Sequence, residues 1–119
     1  MTIQTNKQMD NKTYNIDLQD FRTIGAKVFT TRPRGIEVRT KSNIDILEPQ
    51  YDKITITIPV DISSINPSFL EEFFENIVMK LGEIGFYQKF SFINEGRYKI
   101  ETDLTEAVER ILREENALS

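Results

Sequence analysis

The sequence predicts an α/β fold in one domain: about four strands alternating with helices, the helices gathered mainly on one face of the sheet. Three observations carry this. Strand-like and helix-like patterns succeed one another along the chain, which implies parallel strands joined by right-handed crossovers. The best strands alternate apolar and polar residues instead of running continuously apolar, so one face of the sheet is covered and the other left polar. Finally, 119 residues with 39% hydrophobic and 29% charged side chains suffice for one core and fall short of two.

Residues 1–12 lack periodicity and read as a flexible tail, with the domain spanning 13–115 and the last residues, 116–119, fraying. Tyr14, Ile16 and Leu18 alternate with polar neighbours as the first strand. A short extended piece at Lys27–Thr30 follows Gly25, which can supply a turn. Residues 32–48 carry both periods; a helix is preferred, with Pro33 preorganised for its first position and Pro49 stopping it. KITITIPV is the clearest strand, Ile54, Ile56, Ile58 and Val60 falling on one side. The helix 67–81 has the broadest apolar stripe, with Asn66 as N-cap, Pro67 at the first position and Gly82 as C-terminal cap. QKFSFI is the next strand, Asn94–Gly96 a turn, and a last helix opens on an acidic capping box formed by Asp103 and Glu106.

Composition narrows function. The chain has no cysteine and no histidine, which removes thiolate nucleophiles, the common metal ligands and the usual general base near neutral pH. No Gly-rich phosphate loop or calcium loop is present, so a non-enzymatic role without cofactor or metal is expected. Net charge is −4, which disfavours general nucleic-acid binding. Within residues 22–41, however, six basic residues face Glu37 alone, a local charge of +5 that leaves about −9 for the rest. No apolar run is long enough to cross a bilayer and the N-terminus does not read as a signal peptide, so a cytoplasmic location without membrane contact is expected.

The stretch ITIPVDISSINPSFLEEFFENIVMKLG has a strand ending in a proline and acidic turn, then Ser68-Phe69-Leu70-Glu71-Glu72 opening a helix. With Arg34-Gly35 and Val38-Arg39 upstream and Phe92-Ile93-Asn94 downstream, it resembles the STAS-like family of bacterial domains of unknown function, distant relatives of the STAS domains of anti-anti-sigma factors. The similarity spans roughly residues 13–113. It implies a mixed sheet with helices mainly on one side, and a regulatory module whose partner is a protein such as a histidine-kinase-like ATPase. In anti-anti-sigma factors, an Asp-Ser-Ser-Gly turn before the corresponding helix is phosphorylated on its second serine. Here Ser68 matches that serine, whereas Asn66 replaces the aspartate and Phe69 the glycine. A phosphate on Ser68 would meet the positive end of the helix dipole while Glu71 and Glu72 repelled it.

The expected partner-binding or phospho-regulatory face is therefore the turn 61–68 with the following helix start: Asp61, Asn66, Ser68, Phe69 and Glu72. A polar first turn with no role is the simpler reading of Ser68. A second class of function, nucleotide or nucleic-acid binding, would use Arg32, Arg34 and Gly35 as an anion site at a helix start, against the plainer reading of solvated charge. Glu71 and Glu75 lie one helical turn apart and could be imagined as an acid–base or metal pair, but with no histidine and no second acidic motif at fixed spacing a solvated helix face is the preferred reading. The chain is read as a monomer or homodimer.

Overall fold

A computed structural model describes residues 12–118, with side chains through Glu114. The tail expected over residues 1–12 lies outside this range except for Lys12. That residue is tied down: its N–H donates to Asp52 and its carbonyl accepts from Asp52 and Lys53.

The elements are β1 (Thr13–Asp17), β2 (Val28–Phe29), α1 (Arg32–Ser42), α2 (Ile44–Leu47), β3 (Lys53–Ile58), β4 (Ser64–Ile65), α3 (Pro67–Lys89), β5 (Phe90–Asn94) and α4 (Glu101–Leu118). Short 3-10 turns at Leu18–Phe21 and Glu48–Gln50 link them. The strands do not form the expected mixed four-stranded sheet. They form a three-stranded parallel sheet in the order β1-β3-β5, and a separate parallel pair, β2-β4. The division follows from length, since β2 and β4 are two residues each and lie beyond the carboxyl end of β3.

The register explains the two faces of the sheet. Tyr14, Ile54 and Phe90 align across the strands, as do Ile16, Ile56 and Phe92, and this side meets the helices. Phe74 and Phe86 of α3 pack on Phe90 with ring centroids 5.6 and 5.0 Å away. Asn15, Thr55 and Ser91 align on the opposite side, followed by Asp17, Thr57 and Ile93. There the Asn15 Oδ1 accepts both threonine hydroxyls, at 2.6 and 2.9 Å. Alternation in the sequence thus becomes one apolar, covered side and one polar side.

Two helices depart from expectation at single residues. The helix expected over 32–48 breaks at Asn43, which takes the left-handed conformation at φ 59°, ψ 30° that asparagine tolerates. Gly82, at φ 75°, ends the regular part of α3 as expected, yet the chain resumes helical geometry to Lys89 instead of leaving. The capping box expected at Asp103 is also corrected. Helix α4 begins at Glu101, the Ile100 carbonyl accepting from Leu104, while Asp103 accepts the Tyr98 hydroxyl at 2.6 Å. The helix continues to Leu118, past the expected domain end at residue 115.

Where α1 crosses α3 the contact is between backbones. A Cβ on Gly35 would stand 2.4 Å from the Phe69 carbonyl oxygen and 2.9 Å from the Glu72 Cβ, so only glycine permits this approach. Gly35 is therefore a packing residue and not part of an anion site.

Candidate functional site

At the carboxyl ends of β3 and β5 the chain turns through residues 59–63 and 95–98, and these turns line a cleft of about 660 Å³. Its walls include Val60, Asp61, Ser63, Arg97 and Tyr98. The second turn is seated on the first: a Cβ at Gly96 would lie 2.1 Å from the Val60 carbonyl oxygen. The Asn94 carboxamide closes this turn, accepting the Gly96 N–H at 3.0 Å and donating to the Tyr98 carbonyl. The Tyr98 hydroxyl stands 2.6 Å from Asp103 and 3.0 Å from the Ile65 carbonyl. Burial, reinforced by Asp103, pushes its pKa up, so it remains a neutral donor.

Asp61 also lines a second cleft, of about 540 Å³, with Gln19, Arg22, Ile24 and Lys27. Arg22 fixes this boundary. Its guanidinium grips the Asp61 carboxylate through two hydrogen bonds, at 2.7 and 3.0 Å, and donates further to Gln19 and the Ala26 carbonyl. That hydrogen bonding holds the Asp61 carboxyl below its ordinary range. Between Arg22 and Lys27 the chain makes a turn closed by the Ala26 N–H on the Thr23 carbonyl, with Gly25 at φ 84° in its third position. Ile24 is consequently pushed to the tip, 99% exposed, and Val60 across Asp61 is 65% exposed. Sequence reasoning misses Arg22, Ile24, Val60 and Tyr98 as a group. An isoleucine beside a turn glycine is the one available signal.

The residues expected to form the site are only partly brought together. Asp61 and Asn66 are exposed and Ser68 is half-buried, so the turn remains accessible. Phe69 is not: it is fully buried against Phe29 and Phe73, with centroids 5.2 and 5.9 Å away, and cannot touch a partner. Asn66 caps α3 by accepting the Ser68 N–H at 2.8 Å. Glu71, only 3% exposed, faces Arg32 at 3.1 Å and Arg110 at 3.8 Å, and Glu72 pairs with Arg32 at 3.3 Å. The repulsion that Glu71 and Glu72 would exert on an anion at Ser68 is therefore largely neutralised by Arg32.

The same pairs dispose of the basic segment. Arg32 serves Glu71 and Glu72; Arg34 binds Glu37 at 2.8 Å and the Phe21 carbonyl; Arg39 reaches Glu75 and the Glu72 carbonyl; Lys41 takes Glu37 at 2.8 Å. In the first turns of α1 and α3 the prolines remove one N–H each and the cap residues engage others that would hold an anion: Arg34 and Gly35 donate to Thr31, Ser68 and Phe69 to Asn66. Arg32 thus ties α1 to α3, and Arg34 ties α1 to the 3-10 turn that ends at Phe21. Glu71 and Glu75 likewise answer to different arginines instead of to each other.

No helix among the described residues is long and apolar enough to cross a membrane. No protein-family model matches the chain, and comparison with curated proteins and with solved structures finds no match for either its sequence or its fold.

Proposed function

We propose that this chain is a non-catalytic regulatory module that binds another protein through the edge formed by residues 59–68 and the 22–27 turn. The carrying observation is the pair of exposed aliphatic side chains, Ile24 and Val60, standing on either side of the Arg22–Asp61 ion pair. Aliphatic side chains held out by tight turns around a fixed charge pair suit an interface with an apolar centre and a polar surround. The resemblance to STAS-like domains supports the same region and suggests a cytoplasmic, histidine-kinase-like ATPase as partner. Phosphorylation of Ser68, close to that edge, is the means of control that the resemblance suggests.

Titration calorimetry with a purified histidine-kinase-like ATPase from the same cell tests this reading. Ile24→Asp with Val60→Asp is expected to weaken binding tenfold or more, about 1.4 kcal/mol, without lowering the melting temperature. Ser68→Asp is expected to change the affinity as well. Binding that neither variant alters would refute the assignment.

A further inference from the structure

At the other end of the sheet, the helical turn that follows Gly82 meets α4. Ile84 there is 74% exposed and Tyr87 40% exposed. Burial raises the Tyr87 pKa, with the charges of Glu83 and Glu109 adding to the rise and Thr105 opposing it. From Thr105 the surface continues along an open face of α4 that carries Glu101, Thr102, Thr105, Glu106 and Glu109. These positions follow helical spacing and lie on one side of α4, over about 12 Å from Glu101 to Glu109 at 1.5 Å per residue.

Glu106 is paired with Arg110, but among the described residues no lysine or arginine lies within 4 Å of the carboxylates of Glu83, Glu101 or Glu109. The basic residues Arg32, Arg34, Arg39 and Lys41 of α1 are engaged with Glu37, Glu71, Glu72 and Glu75. An apolar pair beside three unneutralised carboxylates calls for an occupant with a cationic side and an apolar side. Anionic bilayers and nucleic acids are repelled by the same carboxylates. In a second copy, five of the six basic residues of segment 22–41 are already paired internally, leaving only Lys27 of that segment outside an ion pair.

We propose that this surface is a second docking site, separate from the Asp61 edge, for a basic amphipathic segment of a partner protein. An apolar side chain of that segment rests on Ile84 and Tyr87, while its lysines or arginines face Glu83, Glu101 and Glu109. The length of this face, about 12 Å, matches about two turns of a helix.

The probe is a synthetic amphipathic helix of leucine and lysine, compared with a scrambled peptide of the same composition and with a leucine–glutamate analogue. Amide and methyl NMR shifts of the full chain are expected to move only around residues 83–87 and 101–109. Affinity is expected to fall at least about tenfold as salt rises from about 0.05 to about 0.5 M. Glu83→Lys with Glu109→Lys is expected to cost about tenfold in affinity at unchanged melting temperature, and Ile84→Ser to weaken binding independently of salt. Equal binding of the scrambled peptide, shifts centred on Asp61, or indifference to the charge reversals would overturn the proposal. So would retention of the chain by phosphatidylserine vesicles through this face, or self-association that Ile84→Ser abolishes.

Discussion

Thr31 caps α1 while sitting at φ 76°, ψ 147°, a region that a β-branched residue enters only under strain. Strain of this kind costs about 1–3 kcal/mol. Its hydroxyl recovers part of that by accepting the Arg34 N–H at 3.3 Å. Glycine is an adequate N-cap, only a few tenths of a kcal/mol worse than threonine, and takes this conformation freely, although it raises the entropy of the unfolded chain by about 0.5–1 kcal/mol. Thr31→Gly is therefore expected to stabilise the protein by about 1 kcal/mol, seen in calorimetry as a melting temperature about 4 °C higher. A lower melting temperature would mean that the threonine hydroxyl contributes more than its backbone costs. Gly35 behaves in the opposite sense. Its substitution by alanine drives a methyl group into the Phe69 carbonyl and is expected to cost about 1–3 kcal/mol in urea unfolding, through separation of α1 and α3.

Local chemistry makes several elements readable from the sequence alone. Isoleucine and threonine alternation marks β3, and Asn66 with Pro67 marks the start of α3, because cap, proline and apolar stripe are all encoded within a few residues. The signal fails where the deciding contact comes from afar. Asp103 has the spacing to Glu106 of a helix cap, but Tyr98 captures its carboxylate. Arg32 looks like part of an anion site in sequence because its acidic partners, Glu71 and Glu72, lie some 40 residues downstream, on α3, whereas Arg34 is answered locally by Glu37. Gly82 is legible as a stop, and yet the helix continues beyond it, since Phe86 must still reach Phe74 and Phe90 in the core. Gly82→Ala places a side chain at φ 75°, ψ 174°, where glycine alone is comfortable, and is expected to cost about 1–3 kcal/mol. Because no heavy atom stands within 4 Å of the added Cβ, a neutral outcome in urea unfolding would show that the two halves of α3 can realign cheaply.

Across the molecule as a whole, the pH dependence of stability is expected to centre on Glu48. This residue is buried at the end of α2, and two lysines of α3 converge on it: Lys80 on one carboxylate oxygen and Lys89, at 2.6 Å, on the other. Burial alone would raise its pKa, but the two ammonium groups outweigh it and hold the carboxyl below its ordinary value of 4.5. A depressed carboxylate stabilises the fold fully above its unfolded value, and that contribution disappears as pH falls through the folded value. Stability is thus expected to decline on acidification below about pH 4.5, and Glu48→Gln to flatten the decline. The same variant strands Lys89 near a neutral amide, with an expected loss of about 3 kcal/mol at neutral pH. An unchanged acid slope in Glu48→Gln would assign the pH dependence to other carboxylates. The one-sided covering of the sheet is foreseeable from strand alternation, whereas the separation of β2-β4 from the main sheet is not, since pairing between two-residue strands leaves no periodic trace.

The seating of Gly96 on the Val60 carbonyl has a kinetic consequence. The Gly96 turn packs closely on the Val60 backbone, and Arg22 clamps Asp61 beside it. The docking edge proposed above, braced in this way, is expected to need little rearrangement before encounter. Association through it is expected to accelerate in proportion to partner concentration without reaching a plateau, and differences among partners to emerge in how long each complex survives.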